Sequence, residues 1–232
     1  MTRDDNSKTQ PSLKGAVHVW DFPTRTFHWL LVALIAFEWA SVHLGGRFMT
    51  YHMWGGDAVL TLLVFRLAWG FVGSRTARFS HFVRSPRQTL AYIRSWRNRA
   101  TFDGYGHNPV GGWAVGAFLV SLSIQVGTGL FATDDILTEG PLNPLIRNKT
   151  ADFLTHIHKL NFDFLLALMA THIIAVVLHK LVGGHDLVRP MITGRAPRER
   201  FPEHTHVRFA HPWIGVLTLG VAVATTWLIV HL

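Results

Sequence analysis

The stretch HIHKLNFDFLLALMATHIIAVVLH, residues 156–179, is apolar enough from Leu160 onward to cross a membrane, yet it holds histidines at 156, 158, 172 and 179. An imidazole in lipid loses its hydration, so it is rare there unless something binds it. Residues 160–182 form one of five apolar blocks of spanning length; the others cover 27–44, 53–72, 110–131 and 212–230. A single soluble domain of 232 residues rarely buries five such lengths. The chain therefore reads as an all-α integral membrane bundle, the helix being the element that satisfies its own backbone in lipid.

The charge pattern fits that reading. The formal net charge is +8, and the arginines gather between blocks. Arg75, Arg78, Arg84, Arg87, Arg94, Arg97 and Arg99 separate blocks two and three, and Lys180, Arg189, Arg195, Arg198, Arg200 and Arg208 follow block four. The connection after block one holds only Arg47, and that after block three sets Arg147 and Lys149 among acids. The positive-inside rule then puts the N-terminus in the cytoplasm and the C-terminus in the periplasm. Topology accounts for the basic residues, so no nucleic-acid partner is expected. The polar start, MTRDDNSKTQPSLKG, lacks the apolar core of a cleavable signal peptide. Residues 87–100, RQTLAYIRSWRNRA, space Leu90, Ile93 and Trp96 at helical intervals amid arginines, a pattern for an interfacial helix on anionic lipid or for a solvated basic loop.

The chain has no cysteine, which excludes disulfides, iron–sulfur clusters, thiolate zinc sites and covalently attached c-type haem. Any cofactor is held by His, Met, carboxylate or packing. His158 and His172 are 14 residues apart, close to four helical turns, so they share a face but are displaced by about 21 Å. One metal cannot bridge that distance; two cofactors stacked across the membrane can. A haem held by two histidines needs ligands at one depth on facing helices. His28 starts the first block on the cytoplasmic side, the side of His172, and His52 precedes the second on the outer side, the side of His158. The pairs His28 with His172 and His52 with His158 follow from topology, which leaves a swap of partners open. His179, one heptad beyond His172, is placed to contact a haem propionate or carry protons, whereas His156 falls on another face, at the surface. Arg66, on the cytoplasmic half of block two, either pairs with a propionate of the inner haem or reaches for headgroups or another helix. Glu38 and Asp57 lie in the outer half as candidate proton carriers toward a quinone, and His107, Asn108 and Pro109 mark the start of block three.

The stretches VWDFPTRTFHWLLV (19–32), HMWGGDAVLTLLVFRLAWGFVGSRTARF (52–79), GHNPVGGW (106–113), QVGTGLF (125–131) and HDLVRPMITGR (185–195) carry a resemblance to the bacterial di-haem cytochrome b561 family, which includes the b-type cytochrome subunits of nickel-iron hydrogenases. The resemblance implies a four-helix di-haem core over residues 19–195, after a cytoplasmic tail over 1–18. It also implies two haem b groups, with the axial ligands falling on His28, His52, His158 and His172. Residues 196–232, a basic linker and a fifth C-terminal transmembrane helix, are an addition to that core.

Electron transfer across the inner membrane is the function this implies, between the quinone pool and a redox partner such as a periplasmic c-type cytochrome or a hydrogenase. The 132–151 connection is the candidate docking surface for a periplasmic partner. A branch of the family oxidises superoxide while reducing quinone; the neutral-to-acidic outer connections here argue against that alternative. A haem-free, proton-coupled transporter would not require histidines matched in depth on three helices.

Overall fold

The computed structural model describes residues 15–96, 106–134, 138–198, 201 and 207–232. The tail over 1–14, the end of the basic segment over 97–100 and the side chain of Trp96 lie outside the described residues. A short strand β1 (Ala16–His18) leads into α1 (Phe22–Leu44), which the Gly45 to Arg47 turn joins to α2 (Phe48–Val72). A 3-10 turn (Arg75–Ala77), the single-turn α3 (Phe79–Phe82) and α4 (Pro86–Trp96) follow at the end of the bundle where α1 begins, called inner after the side expected for it. Next come α5 (Pro109–Gly129), a 3-10 turn (Asn143–Leu145), α6 (Asn148–Leu181), α7 (Val188–Thr193), β2 (Arg195–Pro197) and α8 (Pro212–Val230). Among the described residues, α1, α2, α5, α6 and α8 are long and apolar enough to cross a membrane.

Local chemistry sets the helix ends. Asp21 caps α1 by accepting the Thr24 N–H at 2.8 Å, and Pro23 occupies the first turn, so α1 starts five residues before the apolar block does. Asn108 caps α5 in the same way, accepting from the Gly111 N–H at 2.7 Å. The α6 helix starts at Asn148, well ahead of the apolar onset at Leu160. Its 34 residues extend about 51 Å, against a hydrocarbon thickness of about 30 Å. The polar first turns project outward and dock on the outer loop, where Ala151 is buried and the Thr155 hydroxyl accepts from the Thr133 N–H at 3.0 Å. His158 consequently lies well inside a helix rather than at its start, and His52 lies in the second turn of α2.

The α2 helix packs against α1, α8 and α5, and α5 packs against α6. The central core joins Ile35, Val59, Leu63, Leu119, Leu122 and Leu165 from four helices. The α8 helix adds a contact outside that core: Ala222 is buried with Phe65 and Trp69, and the Thr61 and Thr226 hydroxyls are hydrogen-bonded at 3.0 Å. At the inner end β1 pairs antiparallel with β2, a ribbon that the apolar blocks do not announce. Arg25 Nη1 and Trp29 Nε1 donate to the Ile192 and Met191 carbonyls, fixing α7 against α1. The expected segment after Pro86 is helical as α4, with Leu90 and Ile93 exposed and Trp113 Nε1 donating to the Arg84 carbonyl beside it.

Candidate functional site: histidine pairs at two depths

Depth can be read from the core. Ile35 lies one heptad from His28 on α1, Val59 one heptad from His52 on α2, and Leu165 one heptad from both His158 and His172 on α6. All three belong to one buried cluster. Seven residues advance a helix by about 10.5 Å, so His28 and His172 lie a similar distance to one side of the central layer, and His52 and His158 to the other.

The outer pair is drawn together. The His52 and His158 rings lie 6.4 Å apart between centroids, nearly perpendicular at 86°. Behind His52, Nδ1 meets the Glu38 carboxylate at 2.6 Å and the Ser41 hydroxyl at 3.2 Å. Behind His158, Nδ1 meets the Gln125 carbonyl at 2.9 Å. A carbonyl only accepts, so His158 Nδ1 carries the proton and Nε2 the lone pair, toward which the Gln125 amide points at 3.1 Å. That amide group is held in turn, because Asn161 donates to Gln125 Oε1 at 2.7 Å and to the Ser121 carbonyl at 3.0 Å. Gly129 lets the His158 ring lie against α5, since a Cβ there would come within 2.9 Å of its Cε1.

The inner end is built differently. His28 and His172 are electrostatic neighbours, and Phe118 meets the His172 ring edge-on at 5.9 Å. His28 Nδ1 is buried with no hydrogen-bond partner. Arg66 is 3 % exposed, with its guanidinium 5.2 Å and 5.8 Å from the Phe79 and Phe82 ring centres, and its Nη1 also lacks a partner. That burial removes the headgroup alternative for Arg66. His107 packs between Trp20, edge-on at 4.8 Å, and Phe82, tilted at 5.1 Å, and its Nδ1 is a third buried nitrogen without a partner. Burial, with Arg66 and the two histidines nearby, pushes the His107 pKa down to about 3. His107 is thus neutral at ordinary pH.

The remaining expected residues fall elsewhere. His179 Nδ1 meets the Ala175 carbonyl at 2.8 Å and Nε2 faces the Asn108 amide at 3.5 Å, which ties α6 to the α5 cap. His156 is exposed. Asp57 is half-buried, with Glu38 and His231 as its electrostatic neighbours. Among the described residues no three His, Cys, Asp or Glu side chains converge on a bare metal ion. A haem iron takes at most two ligands from the protein, so histidine pairs are the relevant arrangement.

Sequence reasoning missed Glu38 as the partner of His52, the Gln125–Asn161 network behind His158, and His107 in the inner cluster. The available signals were Gln125 and Asn161, amides near the ends of apolar blocks. Nothing in the sequence marks the Gln125 carbonyl.

Residues 19–194 match the family described as Prokaryotic cytochrome b561. No curated protein matches the chain in sequence.

Proposed function

The chain belongs to the prokaryotic cytochrome b561 family and is thus a multi-pass inner-membrane, haem b-binding electron-transfer protein, and from that premise we propose that it holds two haems between histidine pairs at two depths. His52 with His158 would hold the outer haem, and His28 with His172 the inner one. The observation that carries this reading is the outer pair. Two metal–imidazole bonds of about 2 Å, with about 1 Å more from each nitrogen to its ring centre, separate two axial rings by about 6 Å. The observed spacing is 6.4 Å, with Nδ1 of each ring tied behind it. Such outer bonds fix the tautomer and the ring orientation of a metal-bound histidine.

The inner end supports the second site through its unpaired nitrogens. A buried polar atom without a partner costs about 1–3 kcal/mol. His28, Arg66 and His107 each present one, and an occupant with anionic oxygens, such as a haem propionate, would satisfy Arg66. A bound haem supplies a one-electron couple whose potential depends on ligands, hydrogen bonds and burial. The protein's own residues set the separation of the sites: Ile35, Val59 and Leu165 form a buried apolar layer between the two pairs.

Quinone is the proposed diffusible partner at one end of this path, with a periplasmic c-type cytochrome or a hydrogenase at the other. The basic residues beside α3, α4 and α7 support a cytoplasmic inner end, with the N-terminus on that side and the C-terminus in the periplasm. The test is a reduced-minus-oxidised spectrum with a haem count on purified protein. Two b-type haems per chain are expected. None would overturn the reading, and one would overturn the four-ligand set. Electron exchange with a c-type cytochrome, measured beside quinone-dependent superoxide consumption, then separates the conduit from the superoxide oxidase.

A further inference from the structure

We infer that Glu38 is a positioning residue that makes the outer haem site the more reducing of the two. The inference rests on His52 being an axial ligand, as proposed above. Glu38 Oε2 lies 2.6 Å from His52 Nδ1, and the side chains are only 12 % and 20 % exposed. The contact is built into the packing of α1 on α2. Gly55 stands one helical turn beyond His52, and a Cβ there would collide with Glu38 Oε1, so the carboxylate fills the space that a side chain at 55 would take. The Ser41 hydroxyl donates to the Glu38 carbonyl at 2.8 Å, leaving its lone pairs to face the same ring nitrogen at 3.2 Å.

A carboxylate behind a metal-bound imidazole pulls on the Nδ1 proton and makes Nε2 the stronger donor. Stronger donation and a nearby negative charge both favour the oxidised iron and lower the potential. The other three ligands lack this device. His158 Nδ1 faces a neutral carbonyl, His28 Nδ1 has no partner, and no carboxylate accepts a hydrogen bond from His172 among the described residues. The inner site instead has the buried Arg66 cation beside it, which favours the reduced state there. Haems held at these two sites would make transfer of a single electron from the outer site to the inner one downhill.

The experiment is a potentiometric titration of the purified holoprotein followed in the b-type haem absorption band. A His158→Ala variant, which keeps only the inner haem, identifies which wave belongs to which site. Glu38→Gln is expected to keep both haems, raise the outer wave and leave the inner one in place. A tenfold change in the reduction equilibrium corresponds to about 59 mV for one electron. Two retained haems with both waves unmoved, or both shifted equally, would overturn the inference while leaving the ligand assignment intact. If Glu38→Gln loses the outer haem, Glu38→Asp is titrated instead: a raised outer wave supports the inference, and an unmoved one overturns it. Failure of the ligand reading is distinguishable, because it shows as a haem count that His52→Ala does not lower.

Discussion

At the outer end of the bundle, His52 and His158 are 6.4 Å apart and each Nδ1 is held by a protein acceptor, while at the inner end His28 Nδ1 is buried without one. The outer shell is made of oxygen acceptors: a carboxylate, a hydroxyl and a carbonyl. The inner shell is made of Phe79, Phe82, Phe118 and Trp20 around a buried cation and a neutral His107. The outer end ties both Nδ1 atoms to protein acceptors but leaves Glu38 Oε1 without a partner; the inner end leaves His28 Nδ1, Arg66 Nη1 and His107 Nδ1 without one. On the proposed reading the outer rings are oriented beforehand and His158 Nε2 would exchange the Gln125 amide for iron, whereas at the inner end Arg66 would gain a partner from the cofactor.

The largest effects come from removing ligands. His158→Ala or His52→Ala is expected to abolish the outer haem and keep the inner one, and His172→Ala or His28→Ala to do the reverse, each read as one haem per chain. Loss of neither haem would break the pairing. A smaller effect is expected from Gly129→Ala, whose Cβ would come within 2.9 Å of His158 Cε1. The ring must tilt or α5 must shift, an overpacking cost of about 1–3 kcal/mol. The outer haem should become substoichiometric or change its absorption band, with the inner haem unaffected. An equal change at both sites would show that the ends are not independent.

The five spans were legible because lipid demands long apolar helices, and the 14-residue gap on α6 was legible because it approximates a whole number of turns. The first turns of α6 were not, since Asn148 to Lys159 are polar and docking on the outer loop holds them, as the Thr155–Thr133 bond illustrates. Glu38 carries no local mark of its role: its meeting with His52 depends on which faces α1 and α2 present to one another and on the gap at Gly55. The Gln125 carbonyl is a backbone group, identical in every residue, so only tertiary structure reveals its bond to His158. His107 was read as the start of a helix, and Asn108 does cap α5, but the ring beside it turns inward onto Trp20 and Phe82.

The inner shell can be probed through its charges. Arg66→Met removes the buried cation and is expected to lower the potential of the inner haem alone, by on the order of 1–2 kcal/mol at an effective dielectric of about 20 and about 10 Å. A potentiometric titration reads it, and an unmoved inner wave would place the guanidinium away from that site. His107 gives a pH-dependent counterpart. Its pKa is lowered from 6.5 to about 3, so the unfolded chain binds the proton more readily and stability falls as pH drops below 6.5. One proton contributes a slope of at most about 1.4 kcal/mol per pH unit, flattening near pH 3. Thermal melts in detergent between pH 7 and 4 should show His107→Phe losing part of that acid sensitivity; an unchanged slope would exclude His107 as its source.

The smallest effect tests how far α8 belongs to either end. It follows the residues that match the family, and it joins α2 through Ala222 and the Thr61–Thr226 hydrogen bond at 3.0 Å. Hydrogen bonds between membrane helices contribute about 0.6 kcal/mol on average, because the separated helices find other partners for their hydroxyls. Thr226→Val keeps the shape and removes the partner hydroxyl, while Thr61 keeps its bond to the Asp57 carbonyl at 2.9 Å. The melting temperature should fall slightly, with both haems and both potentials unchanged. A shift of the outer wave would show that α8 reaches the outer site, through Asp57 and its neighbour His231, rather than only bracing α2.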